Sequence, residues 1–178
     1  QREALKLLSG FLTRGDSGEL FLLKGYAGTG KTTLLGTLIK NLWHIRKKAI
    51  LMAPTGRAAK VMSTYTGTKA HTIHRQIYFP KKDRAGGIKF TLAPNRHRNT
   101  VFIVDEASMI PDTPTDTSKG DRNSLLDDLM TFVYSGYKCQ LMLIGDTAQL
   151  PPVKLSISPA LDAERLELQF RKEVTRIE

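Results

Sequence analysis

Cysteine is nearly absent from this chain, with Cys139 standing alone. A single thiol excludes an internal disulfide, and its place just before the apolar run Leu141 to Ile144 marks it as a small core residue of a reducing compartment. Long hydrophobic runs are missing too. No apolar stretch approaches the roughly 18 residues of a membrane span, and the N-terminus has no signal-peptide core. A soluble, cytoplasmic protein with no membrane partner is expected. Acidic residues are the scarcer sign, 17 Asp and Glu against 27 Lys and Arg, and the net charge of +10 points to a polyanionic partner. Nucleic acid is favoured over a membrane surface because no basic amphipathic helix stands out. Internal repeats are lacking as well. The 40% of hydrophobic and 25% of charged residues nevertheless lie close to the globular norm, which excludes disordered and fibrous classes. A length of 178 residues fits one domain, 1–178, with an insertion. The abrupt start at Gln1 and the stop at Glu178 inside a patterned segment suggest a piece of a longer chain.

Short apolar runs alternate with helical patterns. Leu20 to Leu23 enters glycines, Ala49 to Ala53 is closed by Pro54, and Val101 to Val104 and Leu141 to Ile144 end in an acidic residue or a Gly-Asp pair. These are buried strands. Between them, Ala4, Leu5, Leu8, Phe11 and Leu12 share one helical face, as do Leu34, Leu35, Leu38, Ile39 and Leu42. Thr55 can cap a helix carrying Ala58, Val61, Met62 and Tyr65 that ends near Gly67, and a short helix surrounds Ile73 and Ile77. Ser124 and Asp127 make a capping-box-like start for a helix bearing Leu125, Leu126, Leu129, Met130 and Val133. Strands and helices in this rhythm predict an α/β fold, a three-layer αβα parallel sheet covered on both faces. Two stretches interrupt it. Residues 78–98 carry Lys81, Lys82, Arg84, Lys89, Arg96 and Arg98 against Asp83 alone, with Gly86-Gly87 in the middle, and read as a small inserted basic β-hairpin. Residues 111–123, rich in Pro, Thr, Asp and Ser, read as a surface loop.

Gly25-Tyr26-Ala27-Gly28-Thr29-Gly30-Lys31-Thr32 matches the P-loop pattern, with a strand before it and a helix after it. Its glycines let backbone N–H groups turn in around phosphate oxygens, and the following helix offers its own N-terminal N–H groups and dipole. Lys31 would reach the β- and γ-phosphates of ATP, while the Thr32 hydroxyl would ligate Mg²⁺. Without its context the segment would be a flexible glycine turn. Asp105 and Glu106 put two carboxylates at the carboxyl end of a buried strand, the edge where open α/β sheets bind ligands. Asp105 can hold Mg²⁺, and Glu106 is placed to polarise a water attacking the γ-phosphate. A second acid at this point marks hydrolytic ATPases rather than nucleotide kinases, which keep water away. After the fourth strand, the Gln149 amide both donates and accepts, so it can sense the γ-phosphate or its attacking water and relay that state to a bound polymer.

Together these blocks resemble the superfamily 1 DNA helicases, in particular the RecD- and Dda-like 5′-to-3′ branch. Gly25 to Thr33 is similar to the family's first helicase motif and Asp105-Glu106-Ala107-Ser108 to its second. Gly145, Asp146, Gln149, Leu150 and Pro151 match the third, the most family-specific of them. Ala53 to Ala59 resembles motif Ia, Ala70 to His74 the Thr-x-x-His segment that follows, and Gln1 to Ala4 the Gln-x-x-Ala motif that reads adenine. The resemblance implies a RecA-like first motor domain that binds Mg²⁺-ATP through Gln1, Gly25 and Ala27 to Thr33. It further implies that Pro54, Thr55 and Arg57, with Thr72 and His74, follow one track of single-stranded DNA. The basic hairpin falls where this branch inserts a duplex-splitting element, with Lys81 and Lys82 for phosphates and Phe79 or Phe90 for a base.

Blander readings stand beside these. Arg57 and Lys60 also fit the solvated face of a helix, and His71 and His74 have a spacing that metals tolerate but no third ligand in view. A stand-alone P-loop ATPase or kinase, or a nucleic-acid-binding module with a vestigial nucleotide site, are the alternatives. The arginines that reach the γ-phosphate in such helicases belong in part to a second RecA-like domain, and Arg171 and Arg176 lack the expected Arg-Gln context. The isolated chain is therefore expected to bind nucleotide, to hydrolyse it poorly and not to unwind DNA, with the second domain and other recombination or repair subunits as partners.

Overall fold

The computed structural model describes residues 2–14, 18–25, 30–82, 86–111, 123–146 and 158–177. In chain order the elements are α1 (Arg2–Arg14), β1 (Glu19–Lys24), α2 (Lys31–Asn41), β2 (Lys48–Ala53), α3 (Gly56–Thr66), β3 (Ala70–Thr72) and α4 (Ile73–Ile77). They continue with β4 (Tyr78–Lys82), β5 (Ile88–Leu92), β6 (Thr100–Val104), α5 (Leu125–Tyr134), β7 (Gln140–Gly145), α6 (Ala163–Phe170) and β8 (Glu173–Ile177). Six strands form one sheet in the order β3-β2-β6-β7-β1-β8, and every neighbouring pair runs parallel.

Side-chain alternation along the strands divides the core in two. Leu20, Leu22, Phe102, Val104, Leu141 and Leu143 face one way, against Ile73 and Ile77 of α4, Leu129 of α5 and Leu166 of α6. Phe21, Leu23, Val101, Ile103, Met142 and Ile144 face the other way, against Phe11 of α1, Leu35 of α2 and Met62 of α3. Strands buried on both faces cannot alternate polar with apolar, which is why β1, β6 and β7 read as unbroken hydrophobic runs. The three expected layers are present, and among the described residues three helices lie on each face.

Local signals work as the sequence indicates at α5. Ser124 caps it, accepting from Asp127 N, while the Asp127 carboxylate accepts from Ser124 N at 2.9 Å, a complete capping box. Cys139 is buried. The hairpin is β4 paired antiparallel with β5, Pro80 opposite Phe90 and Lys81 opposite Lys89.

Three expectations shift. The sheet has two outer strands, β3 and β8, that no apolar run announces. Val61 is 55% exposed, because α3 buries Ala59, Met62 and Thr66, a stripe that takes in Met62 and leaves Val61 outside. Leu5 is also exposed, since α1 meets the sheet through Leu8, Phe11 and Leu12 and its first turn runs past that contact. The expected surface loop falls at 112–122 outside the described residues. Among the described residues no helix is long and apolar enough to cross a membrane.

Candidate active site

Parallel strands send all their carboxyl ends to one edge, and the sheet order decides which ends become neighbours. β1 lies beside β7, and β7 beside β6. Gly25, directly after β1, donates its N–H to the Gly145 carbonyl at the end of β7 at 3.2 Å, which ties the start of the glycine loop to the next strand. The loop closes at Gly30, whose φ of +86° and ψ of 10° place it in the left-handed region at the N-cap of α2. Glycine adopts that conformation without steric cost. α2 then begins at Lys31, with Leu34 N donating to Gly30 O at 2.9 Å, and the Lys31 ammonium donates to the carbonyl of Gly25.

Asp105 and Glu106 follow β6. Asp105 N donates to Met52 O of β2 at 3.1 Å, holding the turn against the neighbouring strand. Its carboxylate accepts at both oxygens, Oδ1 from Glu106 N at 2.9 Å and Oδ2 from the Tyr65 phenol of α3 at 2.5 Å. Burial, the bond to Asp105 and the charges of Asp105 and Glu106 push the Tyr65 pKa far above its ordinary value, so the phenol stays a donor. Glu106 itself has φ 56° and ψ 36°, left-handed for a residue that is not glycine. Such a conformation costs on the order of 1–3 kcal/mol and gathers at functional sites.

These strand ends open into one cavity of about 430 Å³, lined by Gly30, Lys31, Thr32 and Thr33 on one side and Asp105, Glu106 and Asp146 on the other. The residues that the sequence nominates for phosphate, metal and water therefore come together. Gln1, Ala27, Gly28, Thr29 and Gln149 lie outside the described residues.

A second group gathers on β2 and β3, the strands that follow β6 in the sheet. β2 and β3 are paired with Ala53 opposite Thr72, so Pro54, Thr55 and Arg57 leave β2 beside the point where Thr72 and His74 leave β3. Thr55 caps α3 by accepting from Ala58 N and Thr72 caps α4 by accepting from Arg75 N, both at 3.2 Å. Each hydroxyl keeps its proton for a further acceptor. Arg57 and His74 are exposed. The nearby His71 has its pKa lowered, chiefly by burial and to a lesser degree by the charges of Lys69 and Arg75. Lys81 and Lys82 are exposed on β4, in the separate hairpin, with Phe90 66% exposed on β5.

Comparison with known proteins assigns the chain. A family model described as an AAA domain matches residues 16–155. The chain belongs to that AAA domain family. Over 135 residues it is 34% identical to the ATP-dependent RecD2 DNA helicase of Deinococcus radiodurans, an alignment covering 75% of this chain and 16% of the relative. Over another 135 it is 31% identical to the ATP-dependent DNA helicase dda of Enterobacteria phage T4, covering 74% and 28%. The resemblance to superfamily 1 DNA helicases that the motifs carry thus extends along most of the chain, which spans less than a third of either relative. Among solved structures, the AAA domain superposes on the Bacteroides Pif1 helicase in complex with ADP-AlF4 with a TM-score of 0.52 at 21% identity, covering 96% of this chain and 40% of that one. A double mutant of Bacteroides Pif1 helicase gives the same TM-score and identity over 93% and 35%. At that identity the likeness shows the shared fold.

Two polar side chains lining the cavity, Asp146 and Tyr65, escape the sequence reading of site roles. Asp146 belongs to a recognised motif block, yet only the order of the sheet makes it a third carboxylate beside Asp105 and Glu106. Tyr65 carries no signal, because its partner is 40 positions along the chain.

Proposed function

We propose that this AAA domain is the first, RecA-like motor domain of a superfamily 1 DNA helicase, which binds Mg²⁺-ATP, hydrolyses it and holds single-stranded DNA. A second RecA-like domain of a longer chain completes the motor, in a cytoplasmic setting with recombination or repair subunits as further partners. The observation that carries this reading is the single cavity shared by Lys31 and Thr32 of the loop-helix junction and the acids that end β6 and β7.

Each residue has a task, which for the described ones their position supports. The glycine loop, Gly25 and Ala27 to Gly30, offers N–H groups to phosphate oxygens, and Lys31 to Thr33 add the first turn of α2 with its positive dipole end. Lys31 exchanges the Gly25 carbonyl for phosphate oxygens and offsets their charge. Gln1 recognises the adenine.

The donors facing the cavity from Thr32, Asp105, Glu106 and Asp146 are all oxygens, the set a hard divalent ion takes, and Mg²⁺ is commonly held by one or two carboxylates together with substrate phosphates. Thr32 and Asp105 would hold it, and it would supply charge neutralisation to the phosphates. Glu106 takes the proton of the attacking water, with Gln149 sensing the γ-phosphate and its water. Adjacent base and metal carboxylates favour hydrolysis over transfer to an acceptor. An arginine from the second domain supplies charge stabilisation that is worth about 10³–10⁵ in rate, so the isolated domain turns over slowly.

On the other end of the sheet edge, Pro54, Thr55, Arg57, Thr72 and His74 line one track for the DNA backbone. Lys81 and Lys82 add phosphate contacts from the hairpin, where Phe90 is open to a base.

Calorimetric titration with Mg²⁺-ATP tests the nucleotide site. Wild type is expected to bind one nucleotide, and Lys31→Ala to bind at least about 100-fold more weakly, because charge-assisted hydrogen bonds worth about 1.5–3 kcal/mol each are lost. Equal affinities in the two proteins would remove the assignment.

A further inference from the structure

Carboxylates rotate freely about their last torsion unless something holds them, since that torsion is broad and nearly two-fold. Asp105 is held at three points: its N–H on Met52 of β2, Oδ1 on the Glu106 N–H and Oδ2 on the Tyr65 phenol. The first is a bond to the neighbouring strand and the second lies within the turn, whereas the third comes from a different layer of the fold. Tyr65 is half-buried near the end of α3, whose stripe of Ala59, Met62 and Thr66 is packed into the sheet, and the Thr66 hydroxyl donates to Met62 O at 2.7 Å within the same turn. The phenol is thus delivered by a fixed scaffold. Each carboxylate oxygen has two acceptor directions, so one on each remains after both bonds are made.

We propose that Tyr65 is a positioning residue for Asp105. Its hydroxyl fixes the plane of the carboxylate so that the remaining acceptor directions face the cavity, and in doing so it sets how strongly Mg²⁺ tightens nucleotide binding. The inference rests on the nucleotide-site reading above. A phenylalanine in its place keeps the packing and removes only the bond. Partners that orient a metal ligand in this way commonly account for about 10- to 100-fold in metal affinity.

The contact has a second consequence. α3 starts at the Thr55 cap just past the end of β2, carries Arg57 in its first turn, and reaches Tyr65 about 15 Å further along its axis at 1.5 Å per residue. One helix therefore touches both the candidate DNA track and the carboxylate of the nucleotide site.

The test compares nucleotide affinity in Mg²⁺ and in EDTA for the wild-type chain, Tyr65→Phe, Asp105→Ala and the double variant. Tyr65→Phe is expected to raise the Mg²⁺ concentration for half-maximal tightening about tenfold, with affinity in EDTA unchanged and thermal melting close to wild type. In the Asp105→Ala background the same change is expected to do nothing more, as a residue acting through Asp105 requires. An unaltered Mg²⁺ dependence in Tyr65→Phe, an equal loss in EDTA, or a full additive effect on top of Asp105→Ala overturns the proposal. A lower Mg²⁺ requirement does so too, because the phenol would then be competing with the ion. Wild type that binds no nucleotide at all instead overturns the site reading, and the inference with it.

Discussion

The two ends of the sheet's carboxyl edge are built differently. At the β1, β6 and β7 end, central strands deliver half-buried groups, Lys31, Asp105, Glu106 and Asp146, whose neighbours are fixed by backbone hydrogen bonds such as Gly25 N to Gly145 O. At the β2 and β3 end, an outer strand of three residues delivers Thr72 and His74, and Arg57 and His74 stand in solvent. A triphosphate is small, of one shape and densely charged, so a preorganised cradle suits it. A polymer backbone that must be gripped and released suits exposed, long side chains, whose contacts are individually weak and screened by salt. The contrast predicts sharp failures at the first end and graded ones at the second.

The sharpest break is expected at Glu106, the proposed water-activating residue. Glu106→Gln keeps the shape and removes the base, so nucleotide affinity is expected to stay within about twofold while DNA-stimulated turnover of the complete enzyme falls by about 10²–10⁴, the usual range for general-base loss. Turnover that survives would put the base elsewhere. Packing supplies the next test. A Cβ on Gly145 would meet the Leu161 side chain at 2.6 Å, beside the strand end that carries Asp146. Gly145→Ala is expected to cost about 1–3 kcal/mol in chemical denaturation, the typical penalty for overpacking. A change at the exposed end such as Arg57→Ala is expected to stay within about 0.5 kcal/mol. The smallest effect is the one on DNA. Arg57→Ala should weaken single-stranded DNA binding only several-fold, lower the salt slope by about 1 and leave nucleotide affinity alone. A collapse of nucleotide binding in that variant would erase the distinction between the two ends.

The same contrast governs how much could be read from the residues. Strands β1, β6 and β7 were legible because burial on both faces demands uninterrupted apolar residues, and the glycine loop because few other arrangements place Gly, Lys and Thr in that order between a strand and a helix. β3, Ala70-His71-Thr72, is too short and too half-buried for a periodic signal, and β8, Glu173 to Ile177, mixes exposed and half-buried residues as an outer strand can. Within α3, Met62 is buried as its apolar character suggests, whereas Val61 is left in solvent and Thr66, a polar residue, is buried with its bond to Met62 O. Tyr65 is half-buried between these two sides. Its contact with Asp105 depends on β2 being the neighbour of β6, a fact of topology that no local pattern states.

The most direct measurement is a crystal structure of the chain with a non-hydrolysable ATP analogue and Mn²⁺ substituted for Mg²⁺, with the ion located by its anomalous signal. The ion is expected between the Thr32 hydroxyl and the Asp105 carboxylate, with the triphosphate along Lys31. An ion and nucleotide seated away from this cavity, or none bound at saturating concentrations, would contradict the account.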